Sequence, residues 1–168
     1  MTVIFDIQHL YYLPQYLPVI EQLQSRGVKV KFVCYRTADK ALASVVSEAV
    51  ENLNVSTVWV DSWNGAKQYY LAERVHWIVF GNAVQDLDEI HQASKTVLMQ
   101  HGIGPKACYY DVSENQTTVR FVEGQHRVKL LQEMFPQGNF VDTGYAKLDP
   151  IINHSLDSNM SLSNLGLD

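Results

Sequence analysis

Short apolar runs alternate along this sequence with segments whose apolar residues recur every three or four positions, and that rhythm limits the fold more than any other feature. Thr2 to Ile7 (TVIFDI) reads as a first strand. Leu17, Ile20 and Leu23 then share one face of a helix that stops near Arg26-Gly27, where glycine suits a helix C-terminal turn. Val28 to Tyr35 (VKVKFVCY) alternates and then turns fully apolar, the pattern of a strand entering a sheet covered on both faces. Residues 38–52 supply strong helix formers, and Val55 to Val60, a short helix over Lys67 to Arg74, and Val75 to Phe80 continue the series. Thr96 to Gln100 is a fifth strand, Thr118 to Val122 a sixth, Gln125 to Met134 a helix and Phe140 to Thr143 the last strand. Strands separated by helices predict an α/β, Rossmann-like, doubly wound and mostly parallel sheet, because parallel neighbours need a crossover and the helix supplies it.

A chain of 168 residues suits one core, which buries roughly 70% of the unfolded surface. Residues 1–152 are read as that domain. From Asn153 to Asp168 the sequence becomes rich in Ser and Asn and loses its periodicity, the character of a linker, here expected to lead toward a further, nucleotide-binding domain. With 13 basic against 18 acidic residues and a net charge of −5, the chain lacks the basic surplus that holds phosphate backbones, so no nucleic-acid partner is expected. The N-terminal stretch lacks the basic start and small-residue cleavage site of a signal peptide, and no apolar run approaches the roughly 20 residues that span a bilayer. The expected location is cytoplasmic. Cys34 and Cys108 form no metal-ligand spacing, and Cys34, inside an apolar run, reads as a buried reduced thiol. The six histidines form no HExxH-type pair, so neither a zinc site nor a protein-bound cofactor is expected.

In open parallel sheets ligands gather beyond the carboxyl ends of strands, which directs attention to the segments that follow each strand. Gln100-His101-Gly102-Ile103-Gly104-Pro105-Lys106 is the richest of them. It sets an imidazole at a strand tip and adds two glycines that let a backbone approach a ligand closely. Free amides at a following helix start, together with Lys106, would favour a phosphate, and a histidine can accept a proton near neutral pH. On spacing alone a single histidine is more often a hydrogen-bonded structural residue than a catalyst, and the glycines can simply serve a turn. His9, Asn82 and Gly144 follow other strands and could line the same cleft, although Leu10, Tyr11 and Tyr12 beside His9 suit packing. His76 falls inside an expected buried strand and reads as a core histidine, while His91, His126 and His154 read as solvated. Asp86 to Glu89 read as helix-start charges. A GxSxG elbow, a GxxxxGK[ST] loop and a GxGxxG fingerprint are all missing, which disfavours a serine hydrolase and a self-contained nucleotide enzyme.

At two strand tips the sequence resembles the CDP-glycerol glycerophosphotransferase family, GT-B-fold enzymes that build teichoic acids and related polymers. The family's H-G-x-x-x-K pattern after an apolar strand is matched by His101 to Lys106. Its later G-x-P-R-x-D is met by Gly144-Tyr145-Ala146-Lys147-Leu148-Asp149, with Ala for Pro and Lys for Arg. Val119 to Gly124 and the helix after it resemble the strand-then-helix segment between these motifs. The likeness covers mainly residues 95–168, and the earlier part agrees in rhythm only.

The resemblance implies the N-terminal, acceptor-side domain of a two-domain transferase, whose nucleotide-binding domain follows the linker. The donor would be CDP-glycerol and the acceptor a polyol phosphate or glycan, with His101 as general base. Gly102, Ile103, Gly104 and Lys106 would lie near the phosphate, and Lys147 and Asp149 would bind substrate or anchor the hinge. Such a chain alone is expected to fold without turning over, and the whole enzyme could sit peripherally on the inner face of the membrane. Two alternatives stand beside this one. The first is the acceptor domain of a nucleotide-sugar glycosyltransferase or sugar-nucleotide epimerase. The second is a non-catalytic interaction domain that presents Trp59, Trp63, Tyr69, Tyr70, Tyr109 and Tyr110 to a partner.

Overall fold

The computed structural model describes residues 1–102, 104, 110 and 117–153. Seven parallel strands form one sheet in the order β3-β2-β1-β4-β5-β6-β7. They are β1 (Thr2–Ile7), β2 (Lys29–Tyr35), β3 (Ser56–Val60), β4 (Trp77–Phe80), β5 (Lys95–Met99), β6 (Val119–Val122) and β7 (Phe140–Asp142). The helices are α1 (Leu13–Ser25), α2 (Lys40–Glu51), α3 (Trp63–Glu73), α4 (Asp88–His91), α5 (Gln125–Met134) and α6 (Asp149–Ile152). The chain steps outward from β1 through β2 to β3, then crosses to β4 on the other side of β1 and steps outward again.

Alternate residues of each strand point to opposite faces, and two cores form accordingly. Val3, Phe5 and Ile7 of β1 pack with Phe32 and Cys34 of β2 beneath Tyr16 and Ile20 of α1 and Val50 of α2. Ile4, Val33, Ile78 and Phe80 pack on the other face with Ala66 and Tyr70 of α3 and Ile90 of α4. Helices on both faces make the sheet doubly wound, as its apolar runs predict. An apolar cavity of about 250 Å³ lies on the α1 side, bounded by Leu23, Trp77, Val97 and Phe121 among others. No helix among the described residues is long and apolar enough to cross a membrane.

Local chemistry sets the element ends. Asp39 caps α2 by accepting from the amides of Ala41 and Leu42 at 2.9 and 3.1 Å. Ser62 caps α3 by accepting from Gly65 N, so this helix starts at Trp63, earlier than the expected Lys67. Arg74 takes a left-handed conformation (φ 45°) that ends α3 and delays β4 to Trp77. His76 is therefore not the buried strand histidine expected from the sequence: it is exposed at the strand's rim, where its Nδ1 accepts from Thr2 N at 3.3 Å. His91 also differs from expectation, being half-buried with Nε2 2.7 Å from Thr96 Oγ1, and burial lowers its pKa. His126 is exposed on α5, and His154 lies outside the described residues. Cys34 is fully buried, which pushes its thiol up to about 12, and Cys108 lies outside the described residues. Asp88 and Glu89 do occupy the first turn of α4, and Glu89 pairs with Lys67 of α3 at 2.9 Å.

Candidate functional site

The strand order reverses at β1 and β4, so the connections leaving these two strands depart to opposite sides and open a crevice at their carboxyl ends. Three segments meet there: Gln8 to Tyr12 after β1, Gly81 and Asn82 after β4, and the residues after β5. His101 is half-buried at this junction. Its Nδ1 lies 2.9 Å from the carbonyl oxygen of Gly81, and its backbone N–H donates to the same oxygen at 3.2 Å. A carbonyl oxygen only accepts, so Nδ1 carries the ring proton and the lone pair of the neutral imidazole is on Nε2.

Aromatic packing holds the ring in this pose. Tyr12, buried in the 3-10 turn after β1, stacks on His101 with centroids 5.0 Å apart and an interplanar angle of 24°. The Tyr12 ring also lies against Gly81, where a Cβ would come within 2.6 to 2.8 Å of three ring carbons. Glycine is needed at position 81 for that close approach. Tyr11 meets His101 edge-on at 4.8 Å and stacks on His9 at 4.9 Å and 12°. His9, exposed beside Tyr11, belongs to the crevice through this contact.

The second motif closes on the first. Tyr145 Oη donates to the carbonyl oxygen of His101 at 2.9 Å, and the Lys147 backbone N–H donates to Gln15 Oε1 of α1 at 3.1 Å. Gly144 adopts the left-handed conformation (φ 71°) that turns the chain after β7 toward His101. Next to it lies a small polar recess lined by Gln15, Gln100, Gly102, Arg120, Glu123 and Tyr145. Arg120 is buried on β6 and its Nη2 donates to Gln100 Oε1 at 2.7 Å. Burial lowers its pKa to about 10, which leaves the guanidinium charged at neutral pH. Arg127 of α5 binds Glu123 Oε1 through Nε at 2.7 Å and the Gly104 carbonyl through Nη2 at 2.9 Å, with its guanidinium 4.5 Å above the Tyr110 ring.

The structure thus brings His101, Gly102, Gly144 and the Tyr145 segment together. Gly104 is tethered to Arg127, whereas Ile103 and Lys106 lie outside the described residues. Lys147 joins the assembly through its backbone amide, its side chain being exposed, and Asp149 begins α6 half-buried. Asn82 spends its Oδ1 on the amide of Ala83 at 2.9 Å, a local turn beside Gly81. Arg120, Arg127 and Gln15 were not singled out as site residues by the sequence, and Tyr11 read only as a packing residue beside His9. Arg120 carried a visible signal, as a cation inside the apolar run Val119 to Val122. Asp6, in the equally apolar β1, carried the same signal. It is completely buried, with Tyr70 Oη donating to its Oδ2 at 2.6 Å and Tyr35 Oη at 2.9 Å. Burial pushes its carboxyl up to about 6, against the downward pull of those hydrogen bonds. Among the described residues, no three His, Cys, Asp or Glu side chains are grouped to hold a metal ion.

By sequence, the chain matches no protein-family profile and no curated protein. Among solved structures it is similar to the crystal structure of MurG from Acinetobacter baumannii, at 11% identity over 86% of this chain and 67% of that one, with a TM-score of 0.34. The Rossmann-like assignment stands on this chain's own strand order and crossovers. Among the described residues, four of the aromatics named for an interaction face belong to the cores: Tyr70 is buried, Trp63 and Tyr69 pack against the same core, and Trp59 packs on the opposite one. Tyr110 lies half-buried under Arg127, and Tyr109 is outside the described residues.

Proposed function

We propose that this chain is the acceptor-side domain of a GT-B-type group-transfer enzyme in which His101 takes the proton from an acceptor hydroxyl. The observation that carries the reading is the Gly81 carbonyl on His101 Nδ1, which leaves Nε2 as the proton-accepting atom at the strand-order reversal. With CDP-glycerol as donor, the acceptor oxygen forms a bond to the phosphorus bearing glycerol, and the bond from that phosphorus to the CMP oxygen breaks. CMP leaves with the bonding electron pair, and the hydroxyl proton passes to Nε2. Gly102 offers backbone close to this centre, Gly104 belongs to the same segment by the resemblance, and the buried Arg120 guanidinium adds fixed positive charge beside Gln100 and Gly102. Ile103 and Lys106 complete the phosphate-side segment in this reading, Lys147 and Asp149 brace the hinge, and a following domain binds the nucleotide.

The test is a donor screen on the protein expressed from its full reading frame. Turnover of CDP-glycerol supports the proposal, whereas turnover of a UDP-sugar moves the assignment to a nucleotide-sugar glycosyltransferase or epimerase. His101→Ala and His101→Gln should each abolish turnover while the protein stays folded. Retention of activity within about tenfold, a loss of roughly 1.4 kcal/mol in transition-state stabilisation, rejects the base role.

A further inference from the structure

We infer that Tyr11 forms the floor of an acceptor subsite for a cyclic sugar, placed so that a ring hydroxyl reaches His101 Nε2. This rests on the proposed role of His101 and names the acceptor class. Tyr11 is 51% exposed, whereas Tyr12, the next residue, is 1% exposed. The chain buries one tyrosine of the pair under His101 and leaves the other half open at the crevice. Tyr11 is not a stray surface aromatic, since its ring is fixed by His9 at 4.9 Å, Tyr12 at 4.9 Å and His101 at 4.8 Å. A rigid tyrosine offers a large apolar contact at small entropic cost, and aromatic walls with a few placed polar groups are the usual make-up of small-molecule sites.

The ligand class follows from what must happen at both rings. The acceptor has to lie on Tyr11 and present a nucleophilic hydroxyl to His101, whose centroid is 4.8 Å away. A linear polyol has hydroxyls but no face to lay on an aromatic ring. A nucleobase has a face but no nucleophilic hydroxyl on its rim. A simple cation would gain from the ring's negative face but brings no nucleophilic hydroxyl to His101. A pyranose has an apolar C–H face and hydroxyls around its edge, so it alone of these satisfies both rings.

The experiment is saturation-transfer NMR on the 168-residue chain, irradiating aromatic protons in the presence of methyl pyranosides and disaccharides, with glycerol and glycerol 3-phosphate alongside. Transfer to sugar C–H protons is expected, with a dissociation constant raised about tenfold or more by Tyr11→Ala but within about threefold for Tyr11→Phe. Unchanged circular dichroism shows that each variant is folded. Sugar binding equal in Tyr11→Ala, transfer to the linear polyols alone, or no transfer to any sugar at tens of millimolar overturns the inference. His101→Gln separates the two claims. If sugar binding survives that change while the full-length variant still turns over, the base role fails and the platform stands. If His101 proves essential to turnover yet Tyr11→Ala leaves sugar binding unchanged, the platform alone fails.

Discussion

The phenolic oxygen of Tyr145 donates a hydrogen bond to the carbonyl of His101 at 2.9 Å, joining two motifs that lie far apart in sequence. A residue three positions beyond β7 thereby fixes the backbone that carries the imidazole after β5. Tyr145→Phe removes this bond and should cost about 1 kcal/mol of stability in urea unfolding. If the bond positions His101 for proton transfer, the same change lowers kcat in the full-length enzyme and leaves the donor KM unchanged. An unaltered kcat would limit Tyr145 to a structural part.

Gly81 and Tyr12 make a second coupled pair. Gly81→Ala drives a methyl group into the Tyr12 ring and should destabilise the chain by about 1–3 kcal/mol, the usual cost of overpacking. Tyr12→Ala makes room for that methyl. The two changes should therefore be non-additive, with a coupling of about 1 kcal/mol or more in a double-mutant cycle of unfolding free energies. Additive losses would contradict the contact.

Asp6 predicts an unusual pH dependence of stability. Its folded pKa, about 6, is above the ordinary 3.8, so the folded state holds the proton more tightly than the unfolded one. The resulting stabilisation is complete below about pH 3.8 and is lost as pH rises through 6; its full size is about 3 kcal/mol. Asp6→Asn keeps an oxygen for Tyr35 and Tyr70 but cannot ionise. Urea midpoints measured from pH 4 to pH 8 should show the wild type losing stability relative to Asp6→Asn as pH rises. Parallel curves for the two proteins would refute the assignment.

Arg127 ties Gly104 to α5 through the Gly104 carbonyl. Arg127→Ala cuts that tether and the Glu123 pair together. Amide exchange measured by NMR should quicken in the residues around Gly102 and Gly104, while the β1 and β2 core amides keep their protection. Unchanged exchange at Gly102 and Gly104 would show that the tether does not restrain them.

Much of this architecture was legible because burial on both faces writes strands as continuous apolar runs. β1 and α5 occur at the expected residues, and the other strands shift by only a residue or two. The start of α3 was missed because Ser62 acts through its side chain on Gly65 N, a local bond that apolar periodicity does not record. His76 was misjudged because Arg74 delays β4 and leaves the histidine at the rim. In the candidate site, strand-tip position pointed to His101, Gly102 and Gly144. The tautomer was beyond reach, since it depends on the Gly81 carbonyl after β4 meeting a ring after β5. The same holds for the split between Tyr11 and Tyr12, identical side chains whose burial is decided by the approach of Gly81.

The most direct test of the account is the ring tautomer of His101, read from long-range nitrogen–proton correlations in the uniformly labelled chain at mildly alkaline pH, with His101→Gln to assign the signal. The proton is expected on Nδ1, with Nε2 unprotonated. A proton on Nε2 would contradict it, because the atom assigned to accept the acceptor's proton would already hold one.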